Sequence, residues 1–113
     1  MAMIETKEGL ENLDAICATP GLDAVYIGPA DLSYALGLPP QPDNPNPLHM
    51  ETCDKIRDTA HKHGIKAVMH CAGAEFAAGA IKRGFDMVML TSDLACMIAG
   101  AKNQLSNLKA GTS

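Results

Sequence analysis

Asp23-Ala24-Val25-Tyr26-Ile27-Gly28-Pro29-Ala30-Asp31-Leu32-Ser33 is an apolar run that breaks into a Gly-Pro turn bearing one acidic side chain. Residues 23–27 read as a buried strand, which puts Asp31 at its C-terminal tip. A second acid, Glu5, closes another apolar run, Ala2-Met3-Ile4, and the residues between the two runs read as one helix followed by the strand. If the strands are parallel neighbours, both carboxylates emerge on one edge of one sheet. Adjacent strands lie roughly 4.8 Å apart, and two carboxylates about 5 Å apart repel by roughly 3 kcal/mol at an effective dielectric of about 20. A bound divalent cation reverses that penalty.

Outward from this stretch the chain alternates. Residues 2–4 read as a strand stub and 6–18 as a helix with Leu10, Leu13, Ile16 and Cys17 on one face. Residues 28–46 are too rich in Gly, Pro and Asn for regular structure and read as a loop, with room for a helical turn around 32–36. Asn46 caps a helix with Pro47 at its first position and Gly64 just past its end. Residues 65–70 read as the third strand, 73–83 as a short helix stopped by Gly84, and 86–90 as the fourth strand. Ser92 caps a last helix with an apolar stripe of Leu94, Ile98, Ala101, Leu105 and Leu108, and 110–113 reads as a frayed tail. Gly21-Leu22-Asp23-Ala24-Val25-Tyr26-Ile27 is echoed by Gly84-Phe85-Asp86-Met87-Val88-Met89-Leu90, each followed by an Asp-Leu pair.

Four strand-then-helix units with continuous apolar strands predict an α/β parallel sheet covered by helices. A complete (β/α)8 barrel takes about 250 residues, so 113 residues make about half of one. The three-residue first strand reads as a truncation. A four-stranded flavodoxin-like sheet is the other architecture with this element order, and it needs helices on both faces.

An apolar fraction of 47% is enough for one core spanning 1–113, and with 4% aromatic residues the packing falls to Ala, Val, Ile, Leu and Met. The net charge of −4 and the lack of a Lys/Arg run argue against nucleic acid or an anionic membrane as partner. No run approaches the roughly 20 apolar residues of a membrane span, and the acidic start does not read as a signal peptide, which leaves the cytoplasm. Cys17, Cys53, Cys71 and Cys96 lack Cys-x-x-Cys spacing and read as reduced packing residues. His61 and His63 read as solvated cations at a helix end, and His49 as a first-turn surface residue. His70, at the end of the third strand, reads as a substrate contact or a packed histidine. Asp31 taken alone reads first as the N-cap of a helix beginning at Leu32 and only then as a ligand, and Glu5 has the second reading of an exposed first-turn acid; Asp93 reads as a first-turn acid beside Ser92.

Met3-Ile4-Glu5-Thr6, the stretch from Asp23 to Ser33 quoted above and the following Gly37 together resemble the HpcH/HpaI aldolase family. The resemblance runs through essentially the whole chain, as the C-terminal half of a phosphoenolpyruvate/pyruvate-type TIM barrel. It implies a class II aldolase, a carbon-carbon lyase cleaving a 4-hydroxy-2-oxo acid to pyruvate and an aldehyde. It further implies that Glu5 and Asp31 are the protein ligands of a magnesium, manganese or cobalt ion that stabilises the pyruvate enolate. Gly28, Ala30 and Asp31 are implied as the substrate-binding turn, where the Ala30 and Asp31 N–H groups suit a carboxylate and Gly28 permits close approach. The family's general-base histidine and its arginine come from the N-terminal half of the barrel. None of His49, His61, His63, His70, Arg57 and Arg83 falls in the matching motifs, so those roles are expected outside this chain, with at most trace activity within it. The final helix of such enzymes packs across a subunit interface, which implies a homo-oligomer. A CoA-ester lyase of the citrate lyase β-subunit and malyl-CoA type is the alternative, and a non-catalytic barrel fragment the third reading.

Overall fold

The computed structural model describes residues 1–112. Strands β1 (Ala2–Ile4), β2 (Ala24–Ile27), β3 (Lys66–His70) and β4 (Met87–Met89) form one sheet in the order β1-β2-β3-β4. All three pairings are parallel. The helices are α1 (Lys7–Glu11), α2 (Leu13–Cys17), α3 (Pro29–Ala35), α4 (Pro47–Lys62), α5 (Ala74–Lys82) and α6 (Asp93–Gly111).

Side chains alternate across a strand, and this sheet uses the alternation asymmetrically. Ile4, Val25, Ile27, Ala67 and Met69 are fully buried and pack with Leu13, Leu32 and Ile56 from the helices. On the opposite face Met3 and Met87 are half or more exposed. One covered face and an unreversed strand order exclude the doubly wound flavodoxin-like arrangement. The fold is half of a (β/α)8 barrel, with the exposed face where the barrel interior lies. Both outer strands, β1 and β4, carry an unpaired edge.

Local chemistry explains where the elements start and stop. Asn46 Oδ1 accepts from the Leu48 N–H at 3.0 Å with Pro47 at the first helical position, and Gly64 closes α4 at φ 73°. Ser92 Oγ accepts from the Ala95 N–H at 3.2 Å to open α6. Asp93 stands in its first turn. The echoed segments share one device: Gly21 (φ 81°) and Gly84 (φ 92°) take the left-handed conformation open to glycine just before β2 and β4.

Several sequence expectations change. The helix over 6–18 is divided at Asn12, whose backbone leaves helical values (φ −102°, ψ 14°) while its side-chain amide donates to the Glu8 carbonyl at 2.9 Å, the local competition typical of Asn. The 28–46 segment is not all loop, because α3 begins at Pro29 with Gly28 as its N-cap. Asp31 therefore sits in the first turn of α3, and is not its cap. Ala110 and Gly111 are helical; Ser113 lies outside the described residues. Cys17, Cys53 and Cys71 are buried as reduced packing residues, whereas Cys96 is exposed on α6.

The histidines differ most. His49 is fully buried, not a surface residue. His61 and His63 are tied to carboxylates: His61 Nε2 lies 2.7 Å from Asp86, and His63 Nε2 lies 2.9 Å from Asp14. Lys66 and Lys62 join the same two acids, each at 2.9 Å. The Ala67 N–H, donating to Asp86 at 3.0 Å, leads the causes that hold this carboxyl well below the usual carboxylate range, with His61 and Lys66 adding to it. His63 and then Lys62 also lower the Asp14 carboxyl from its ordinary value.

Candidate functional site

The C-terminal strand ends gather the side chains of interest. Extending the register Ile4↔Ile27↔Met69 by one residue aligns Glu5, Gly28 and His70 in a row facing the open side of the sheet. Gly28 is what lets the row close. A Cβ at position 28 would collide with Glu5 Oε2 and stand 3.3 Å from both Cβ and Cδ of Glu5, so the Glu5 side chain lies across the place where any other residue would put its own. The chain then turns into α3, and Asp31 in its first turn borders the same space.

Glu5, Gly28, Ala30 and Asp31 line one cavity of about 210 Å³, together with Met3, Tyr26, Pro29, Pro42 and His70. The structure thus brings together all four residues singled out from the sequence. His70 shares the cavity; its Nδ1 lies 2.8 Å from the Tyr26 hydroxyl, with the two rings edge to face at 6.0 Å. Burial pushes the Tyr26 hydroxyl pKa up, so the phenol stays protonated. Asp93 lies on α6, outside this cavity, with its carboxylate accepting from the Leu94 N–H at 2.7 Å. Sequence reading missed Tyr26 and Pro42. The signal for Tyr26 was its position two residues before Gly28, which puts it on the same strand face.

Two carboxylates form a hard oxygen donor set, and a cation that keeps water and substrate oxygens needs no more than one or two of them. Among the described residues no group of three or more His, Cys, Asp and Glu converges as a closed cage. The donor set and the space cleared at Gly28 fit a hard divalent cation with open positions. Among the described residues no helix is long and apolar enough to cross a membrane.

Comparison with known proteins gives one consistent result. Residues 1–99 match the HpcH/HpaI aldolase/citrate lyase family. The chain is 36% identical over 110 residues to a hydroxypyruvate/pyruvate aldolase of Rhizorhabdus wittichii, covering 97% of this chain and 44% of the relative. It is 34% identical over 108 residues to a 2-keto-3-deoxy-L-rhamnonate aldolase of Salmonella paratyphi B, covering 91% of this chain and 40% of that enzyme. The crystal structure of an HpcH/HpaI aldolase from Desulfitobacterium hafniense superposes with a TM-score of 0.83 at 31% identity, covering 96% of this chain and 42% of that one. The chain spans less than half the length of the relatives it matches. On the strength of the matched residues, the shared half barrel and these identities, the chain belongs to the HpcH/HpaI aldolase/citrate lyase family.

Proposed function

We propose that residues 1–113 are one partial barrel domain, the C-terminal half, contributing the cation and pyruvate site of a class II aldolase that cleaves a 4-hydroxy-2-oxo acid to pyruvate and an aldehyde. The observation that carries this reading is the Glu5 side chain lying across Gly28 into a cavity shared with Asp31. Glu5 and Asp31 would hold magnesium, manganese or cobalt. The chemistry a bound cation supplies is Lewis-acid neutralisation of the negative charge that C–C cleavage leaves on the pyruvate oxygens. Pro29 has no N–H, so the first backbone donors of α3 are Ala30 and Asp31, and such first-turn donors have no intrahelical partner. They orient the pyruvate carboxylate. Met3 and Tyr26 shape the apolar side of the cavity. The general base and the positive partner of the reaction come from barrel elements beyond these four strands, and the working enzyme is a cytoplasmic homo-oligomer.

Calorimetric titration with manganese, followed by pyruvate, tests the reading. Manganese is expected to bind, and Asp31→Asn and Glu5→Gln to weaken it by about 10- to 100-fold or more, the scale set even by residues that only support a ligand. Asp93→Asn, at the mouth of α6, is the control and leaves binding unchanged. Equal effects of Asp31→Asn and Asp93→Asn would sink the assignment.

A further inference from the structure

Among the described residues three polar side chains are buried, Ser33, Asn44 and His49; Ser33 and His49 meet on one backbone group beside the candidate site, and Asn44 backs Ser33. Ser33 Oγ donates to the Pro29 carbonyl at 2.7 Å, and His49 Nε2 donates to the same oxygen at 3.2 Å. Asn44 Nδ2 donates to Ser33 Oγ at 2.9 Å, while Asn44 Oδ1 accepts from the Asn46 N–H at 3.0 Å. The Pro29 carbonyl can only accept, so His49 carries its proton on Nε2. Its Nδ1 is then left as an acceptor for the Cys53 thiol at 3.7 Å. Burial pushes that thiol up to about 12, which keeps it a donor. Burial also lowers the His49 pKa, outweighing the backbone carbonyls of Pro29 and Asn44, and favours the neutral ring.

None of the three side chains lines the cavity, although Pro29, which they hold, does, and every buried side-chain donor and acceptor among them is satisfied. Its members come from three separate parts of the chain: α3, the Pro-rich strap before α4, and the first turn of α4. A seven-residue helix is too short to hold its own geometry, so the first turn of α3, which bears Asp31, is held from outside. The strap is pinned a second time where Asp43 Oδ1 accepts from the Ala72 N–H at 2.8 Å, just past β3. That pin sets Pro42 against the cavity.

We propose that Ser33, Asn44 and His49 are positioning residues for the cation site, clamping the Pro29 carbonyl so that the first turn of α3 presents Asp31 toward Glu5. This rests on the reading of Glu5 and Asp31 as ligands. Partners that orient a ligand without touching the metal typically govern 10- to 100-fold in affinity. A network that served folding alone would move stability and leave affinity where it was.

The test is manganese calorimetry on the full 113-residue chain, with a thermal unfolding curve recorded for each variant. Ser33→Ala and His49→Leu are expected to weaken manganese by about tenfold or more, and His49→Gln, which keeps an N–H donor, to recover most of the loss. Ile56→Val, an equally buried core change, lowers the unfolding temperature without moving affinity. If His49→Leu does not fold, Ser33→Ala, which deletes a single hydroxyl, decides the matter. Binding that Asp31→Asn abolishes but Ser33→Ala and His49→Leu leave intact overturns this inference alone. No manganese binding to the unsubstituted chain, or none of it sensitive to Asp31→Asn, overturns the ligand assignment and this inference with it.

Discussion

At the scale of single residues, Gly28 gives the sharpest experiment. Its φ of −90° is open to any residue, so Gly28→Ala strains no dihedral. Loss of the glycine N-cap costs about 1 kcal/mol, and the smaller entropy of the unfolded chain returns about 0.4–1 kcal/mol. The added methyl meets Oε2 at the tip of the Glu5 side chain, which can swing aside, and Glu5 Cβ at 3.3 Å, which must give by a few tenths of an ångström. Gly28→Ala is therefore expected to fold with at most a modest loss of stability and to lose manganese affinity by about tenfold or more. Calorimetry beside thermal unfolding checks it, and parallel losses in both would mean that the glycine serves the fold. Glu5, Gly28 and Asp31 were legible in the sequence because each ends or follows an apolar run, which puts them at one edge once the strands are parallel neighbours. His49 was not, because what buries it is the carbonyl of Pro29, twenty residues earlier in the chain. A polar first-turn position looks solvated until the strap that covers it is known.

At the scale of elements, the starts and stops set by short-range chemistry were readable: Asn46-Pro47 and Gly64 around α4, Ser92 before α6, Gly84 before β4. The misreadings lie where local signals compete. Asn12 interrupts its helix through its own side chain, and Gly-Pro density hid α3, although Pro at a first helical position is the ordinary arrangement. The C-terminal end of α4 is fastened to β4 by Asp86, which accepts from His61, Lys66 and the Ala67 N–H. The folded pKa of Asp86 lies below its unfolded value of about 3.9, so its contribution is complete above about pH 4 and disappears as pH falls through the folded value. Asp86→Asn is expected to lower the unfolding temperature at pH 5 and above, and by progressively less below about pH 4. Thermal melts across that range test it. A gap that widens in acid would mean that the carboxylate is not what α4 leans on.

At the scale of the whole molecule, the α-carbon radius of gyration is 17.1 Å and the long axis 61 Å; a compact chain of this length gives about 13 Å. The excess comes from α6, whose 19 residues bury none of their number and run about 28 Å. Leu94, Met97, Ile98, Leu105 and Leu108 stand exposed along it. With two bare sheet edges as well, the isolated chain is expected to self-associate. Sedimentation across a tenfold range of concentration should show a rising mean mass, whereas a cooperatively folding monomer throughout would contradict it. The half barrel itself was legible because alternation and repeat length are whole-chain properties. The open interior face was equally implied, since four strands cannot enclose one. Because all strands run one way, the two ends of the molecule hold different things: Glu5, Gly28 and Asp31 at one, and Asp14, Lys62, His63 and Asp86 at the other. β3 spans five residues, about 17 Å between the ends, and perturbations further apart than about 7–10 Å combine additively. Descendants of this sequence are therefore free to rework substrate preference at one pole and robustness at the other, with neither change constraining the next.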